Sequence, residues 1–79
     1  MGISMNEKQK TIEFVVFCIE NTATRLKKRG DEVFRELMKT GGIEQFLFPS
    51  FPTLHTQSKD YIVDEVLSYL GGHNPSFVK

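Results

Sequence analysis

With 79 residues, 39% of them hydrophobic, the chain is sized for one domain with a thin core, because a domain this small hides only about 60% of the surface its unfolded form exposes. Ten Lys and Arg balance ten Asp and Glu, which removes the broad positive field on which nucleic-acid binders and binders of anionic membranes rely. The one cysteine excludes an internal disulfide and fits a reducing cytoplasm, and Cys18, His55 and His73 lack the paired spacing of structural zinc, so neither metal nor cofactor is expected. The first ten residues hold no apolar signal-peptide core, and no apolar run nears the roughly 20 residues that span a bilayer. A soluble, unexported protein without membrane contact is the expectation.

The first element opens on Ser4-Met5-Asn6-Glu7, a capping-box pattern in which hydroxyl and carboxylate satisfy each other's backbone N–H groups. Helical periodicity then runs to about residue 28. At 100° per residue, Met5, Ile12, Val15, Val16, Ile19, Ala23 and Leu26 share one stripe, whereas Phe14 and Phe17 emerge from nearly the opposite side. The run Phe14-Val15-Val16-Phe17-Cys18-Ile19 also suits a buried strand, but its flanks keep the helical period. A helix with apolar residues on two faces must be covered on both, either by a partner or by wrapping from its own chain.

Gly30 interrupts, and Asp31 is placed to cap a second helix over 32–39 with Val33, Phe34, Leu37 and Met38 on one face. Gly41-Gly42 ends it through the left-handed conformation common at helix C-termini. Ile43, Phe46 and Leu47 predict a short helical turn, after which Pro49 and Pro52 predict an apolar loop over 48–54. The last helix is expected over 58–70, with Ile62, Val63, Val66, Leu67, Tyr69 and Leu70 as its apolar arc and Gly71-Gly72 as its stop. Residues 71–79 read as a loose tail unless Phe77 and Val78 dock. The fold expected is a single all-α domain over 1–79. It is a small bundle of three main helices plus a short helical turn, with the long first helix as central spine.

The strings Phe14-Val15-Val16-Phe17-Cys18-Ile19-Glu20, Asp31-Glu32-Val33-Phe34 and Leu54-His55-Thr56-Gln57, followed by Tyr61-Ile62-Val63, together resemble a small bacterial family, domain of unknown function 3791. The resemblance spans residues 12–70. That family carries no established activity, so what it implies is a small helical fold. By the company such genes keep with toxin-like or ADP-ribosyltransferase-like genes, it also implies a regulatory or neutralising partner role. Two stretches depart from the family pattern: 25–29 is more basic, and Phe48-Pro49-Ser50-Phe51-Pro52 is richer in proline.

Candidate sites compete with plainer structural roles. His55, Thr56 and Gln57 stand just ahead of the last helix, where polar side chains serve either as caps or as contacts. Thr56 or Ser58 is the expected cap, with His55 held by a local hydrogen bond. Cys18 with His55 as base would need an electropositive, accessible setting, and Phe17 and Ile19 flank it instead. Arg25, Lys27, Lys28 and Arg29 form the only basic cluster, which at a helix C-terminus complements the dipole. The leading expectation is a non-enzymatic protein-interaction module, such as an antitoxin-like or regulatory partner of a neighbouring protein, or a homo-oligomer. Its contact residues are expected among His55, Gln57, Phe51, Phe14 and Phe17. A helix-turn-helix-like nucleic-acid binder is the first alternative, disfavoured because Asp60, Asp64 and Glu65 oppose Lys59 on the last helix. A small enzyme is the second, and no carboxylate pair, metal set or phosphate loop supports it.

Overall fold

The computed structural model describes residues 5–79, with side chains from Lys8 onward, so the Ser4 to Glu7 capping box and the Met5 side chain lie outside the described residues. Four α-helices follow in order: α1 (Met5–Leu26), α2 (Gly30–Thr40), α3 (Phe48–Leu54) and α4 (Lys59–His73). A π-helical turn, Ile43–Leu47, leads into α3, and a 3-10 turn, Pro75–Val78, closes the chain. There is no strand among the described residues, and the fold is all-α. Helix α1 packs against each of the other three, which makes it the spine.

The buried side of α1 differs from the one read off the sequence. Phe14, Val15, Cys18, Thr22 and Ala23 are buried, whereas Ile12 and Val16 are exposed. At 100° per residue the buried face is turned by about a quarter of a circle from the expected stripe. Its centre is Cys18 and Thr22, both fully buried, and the Thr22 hydroxyl has no hydrogen-bond partner. These small side chains let neighbouring helices approach, a packing signal that a hydrophobicity wheel does not register.

Three residues link α1 to α2, with Lys27 in the left-handed region at φ 58°. The α2 cap sits two residues earlier than expected. Arg29 occupies the cap position, its backbone N–H donates to the Glu32 carboxylate at 2.9 Å, and its guanidinium holds Asp31 through bonds of 3.0 and 2.7 Å. Gly41 ends α2 at φ 75°, as the sequence predicts. Gly42 is required for a different reason: a Cβ there would stand 2.7 Å from Leu37 Cδ2, in the middle of the core.

The largest departure is α3, where an apolar loop was expected. Pro49 falls in the first turn of α3, which continues from the preceding turn without a break, Leu47 being helical at φ −68° and ψ −46°, and the fixed φ of proline suits that conformation. The preceding turn is widened to the π form, with the Phe48 N–H donating to the Ile43 carbonyl five residues back. Only Pro52 interrupts the ladder inside α3. Leu47 and Leu54 anchor this segment in the core.

Helix α4 likewise runs past its expected stop, with Gly71 and Gly72 inside it. Ile62, Val63, Val66 and Leu70 face the core, and Tyr69 donates its hydroxyl to the Thr40 carbonyl at 2.8 Å. The expected tail docks, since Phe77 and Val78 pack on the core cluster and Asn74 Nδ2 donates to the buried Glu36 carboxylate at 3.0 Å. Ser58 caps α4, accepting from the Tyr61 N–H at 3.2 Å. Ser58→Ala should therefore lower stability by about 1 kcal/mol, as loss of a helix N-cap does. A denaturant titration checks this, and an unchanged midpoint would mean that the cap is dispensable.

Candidate functional site

Between the first half of α1 and α3 lies an open, mainly apolar groove of about 700 Å³ lined by Lys8, Thr11, Ile12, Phe48, Phe51, Pro52 and His55. Helix geometry explains the set. Lys8, Thr11 and Ile12 are spaced i, i+3, i+4 on α1, and Phe48, Phe51, Pro52 and His55 are spaced i, i+3, i+4, i+7 along α3 and its cap, so each wall is a single helix face. Without α3 as a helix, the second wall would not exist.

The floor is aromatic. Phe14, only 7% exposed, meets the half-buried Phe51 edge-on with ring centroids 5.3 Å apart at 67°, and Phe51 in turn stacks on His55 at 4.6 Å and 21°. Edge-to-face and offset stacks favour these separations beyond simple burial. Above that floor Ile12 and Phe48 remain 53% and 44% exposed. The groove thus offers large apolar side chains on a packed support.

Two of the five expected contact residues, Phe51 and His55, line the groove, and a third, Phe14, is buried beneath Phe51 without lining it. Phe17 and Gln57 lie outside it. Phe17 is half-buried against the core, and the cover that the second apolar face of α1 requires is supplied over Phe14 by the chain's own 48–54 segment. Gln57 is exposed beyond α3, outside the groove lining. His55 rests on Phe51 by stacking rather than by the expected local hydrogen bond, and Thr56 donates to the Thr53 carbonyl at 2.9 Å instead of capping α4. Ile12, expected on the covered stripe of the first helix, lines the groove with Lys8 and Thr11, and Phe48 and Pro52 come from the apolar 48–54 segment, of which only Phe51 is an expected contact. The 48-51-52-55 spacing could have revealed them had the prolines not been read as helix-breaking.

The remaining candidates are occupied by structural work. Arg25 pairs with Asp64 at 3.1 Å and Asp60 at 3.6 Å, Arg29 with Asp31 at 2.7 Å, and the Lys28 ammonium lies 4.9 Å from the centre of the Phe77 ring. The hydrogen bonds that the Arg29 guanidinium donates to the Asp31 carboxylate hold the Asp31 pKa down and the Arg29 pKa up. Cys18 is fully buried, and burial raises its thiol to about 12 from 9.0. An alkylating reagent should consequently leave Cys18 unmodified at neutral pH in the native protein and label it on unfolding, which intact-mass measurement reads directly. Because the folded value exceeds the unfolded one, the associated stability is present below pH 9 and is lost as pH rises toward 12.

The arrangement is that of a small all-α domain with a solvent-facing hydrophobic groove. A family model described as "Protein of unknown function (DUF3791)" matches residues 13–73, and the chain belongs to that family. The matched span includes α3 and α4 and begins one residue after Ile12. A search of curated proteins and a search of solved structures each found no match.

Proposed function

We propose that this chain is a non-enzymatic protein-interaction module that binds its partner in the groove between α1 and α3. The observation that carries this reading is the exposure of Ile12 and Phe48 above the Phe14–Phe51–His55 floor. Large apolar groups kept in water on a rigid support are what a partner's side chains bury against. Such a domain suits a regulatory or neutralising role toward another protein in a bacterial cytoplasm, where its lone thiol stays reduced.

Two alternatives are less well supported. Catalysis by Cys18 would need a thiolate, and a fully buried thiol held near 12 supplies almost none at neutral pH. Docking on nucleic acid would call on Arg25, Lys28 and Arg29, whose charged groups already face carboxylates or an aromatic ring. No helix among the described residues is long and apolar enough to cross a membrane.

Affinity capture from the native host, using the wild-type chain beside Ile12→Glu and Phe48→Glu, tests the reading. Both positions are exposed, so the variants should melt within about 0.5 kcal/mol of wild type. A specific partner should be recovered by the wild type and lost by both variants. Retention of that partner by both would place the interface elsewhere.

A further inference from the structure

We infer that the groove's occupant is an amphipathic helix of a partner protein, engaged over about two turns, with acidic residues flanking its apolar stripe. This inference rests on the interaction-module reading and adds the chemistry of the partner.

Charge is the first argument. The chain as a whole is neutral, with ten basic and ten acidic residues, yet the groove lining contains Lys8 and His55 and no carboxylate. Among the described residues no carboxylate pairs with Lys8. A partner carrying Asp or Glu beside its apolar face would complement this rim, and complementary charge selects among partners by penalising like-charged ones.

Shape is the second. Both walls are helix faces, and a channel between two helices accepts the side-chain ridge of a third. Strand addition has no edge to use, because the described residues contain no strand. Seven residues of α3 span about 10 Å at 1.5 Å per residue, which sets the length of contact at about two turns. The open volume of about 700 Å³ accommodates several side chains at once.

A second copy of the chain fits less well. One of its exposed helical pairs, Phe34 and Met38 on α2, is bordered in sequence by Arg35 and Lys39, which would bring like charge toward Lys8, and another, Ile12 and Val16 on α1, includes a residue of the groove wall itself. The neighbouring acid, Asp31, is already engaged by Arg29 and Arg35.

A display library of helical 14-residue peptides with randomised faces, panned on the purified 79-residue chain, tests this. Enrichment of peptides with apolar residues at i, i+3 or i+4 and i+7 flanked by Asp or Glu is expected. Their affinity should fall tenfold or more on Phe48→Glu, the size of loss that truncating a central contact produces. Lys8→Glu should weaken acidic-flanked peptides about 2- to 5-fold and favour Lys-flanked ones, as a rim charge does. Circular dichroism confirms that both variants remain folded. Enriched peptides without acidic bias, or indifferent to Lys8→Glu, would overturn the inference while leaving the module reading intact. So would a dimer, seen by sedimentation, that Phe48→Glu dissociates, or decanoate saturating the groove while no helical peptide is enriched. Failure of the module reading looks different, because the native partner would then bind both groove variants unchanged.

Discussion

Phe14→Ala should cost about 3–5 kcal/mol of stability, the usual penalty for removing a buried aromatic ring and leaving a cavity. For a domain of this length total stability is on the order of 4–12 kcal/mol, so the variant should lie at the edge of unfolding at ambient temperature. The loss has two components: the ring is only 7% exposed at the junction of α1 and α3, and its edge supports Phe51, which in turn supports His55. Phe14→Leu should recover much of the burial but not the edge-to-face contact. Urea denaturation of the three proteins distinguishes these contributions. A loss under 1 kcal/mol for the alanine variant would show that α3 is held by Leu47 and Leu54 alone.

Pro52→Ala should act in the opposite direction. Proline within a helix is about 3 kcal/mol less favourable than alanine, because it removes a donor and crowds the carbonyl four residues earlier. Here that carbonyl belongs to Phe48, at the junction with the π turn. Part of the gain is returned because alanine leaves the unfolded chain less restricted, worth about 0.4–1 kcal/mol. The net expectation is stabilisation by about 2 kcal/mol, visible as a raised melting temperature. The same substitution trims one groove wall, so binding of the helical partner should weaken even as the domain becomes more stable. A destabilised variant would mean that packing by the proline ring outweighs its cost to the helix.

Those two residues also show what the sequence made legible. Local backbone signals held at two points, where Gly41 ends α2 in the left-handed region and Ser58, one of two expected caps, heads α4, and failed at two, where Arg29 rather than Asp31 caps α2 and α4 runs on through Gly71 and Gly72. The number and type of the main helices followed from periodicity. The segment 48–54 did not, because the penalty of each proline depends on its position within the turn, and the upstream π turn shifts that position. The lining of the groove was partly legible for the same reason. Phe51 and His55 were selected, but their neighbours on the same face, Phe48 and Pro52, appear as a set only once the segment is helical. On α1 the departure has a different source: Cys18 and Thr22 mark the centre of burial, and neither is strongly apolar, so periodicity points to the Ile12 stripe as the main buried face, whereas Ile12 is exposed and Phe14 buried.

The bonds that fasten α4 to the rest of the molecule join residues far apart along the chain: Arg25 with Asp64, Glu36 with Asn74, Thr40 with Tyr69. Each spans between 29 and 39 positions, whereas the α1–α2 hairpin closes through three residues. During synthesis, therefore, α1 and α2 can coil and meet early, since helices and short loops form within microseconds and translation adds only about 5–20 residues per second. What they build at that stage still lacks its inner face. The Glu36 carboxylate must stay hydrated until Asn74 arrives to receive it, because burying it without a donor is unfavourable. Completion of the domain is thereby tied to the arrival of Asn74, and a ribosome stalled before residue 74 would carry a nascent helical hairpin whose apolar side is still open to chaperones.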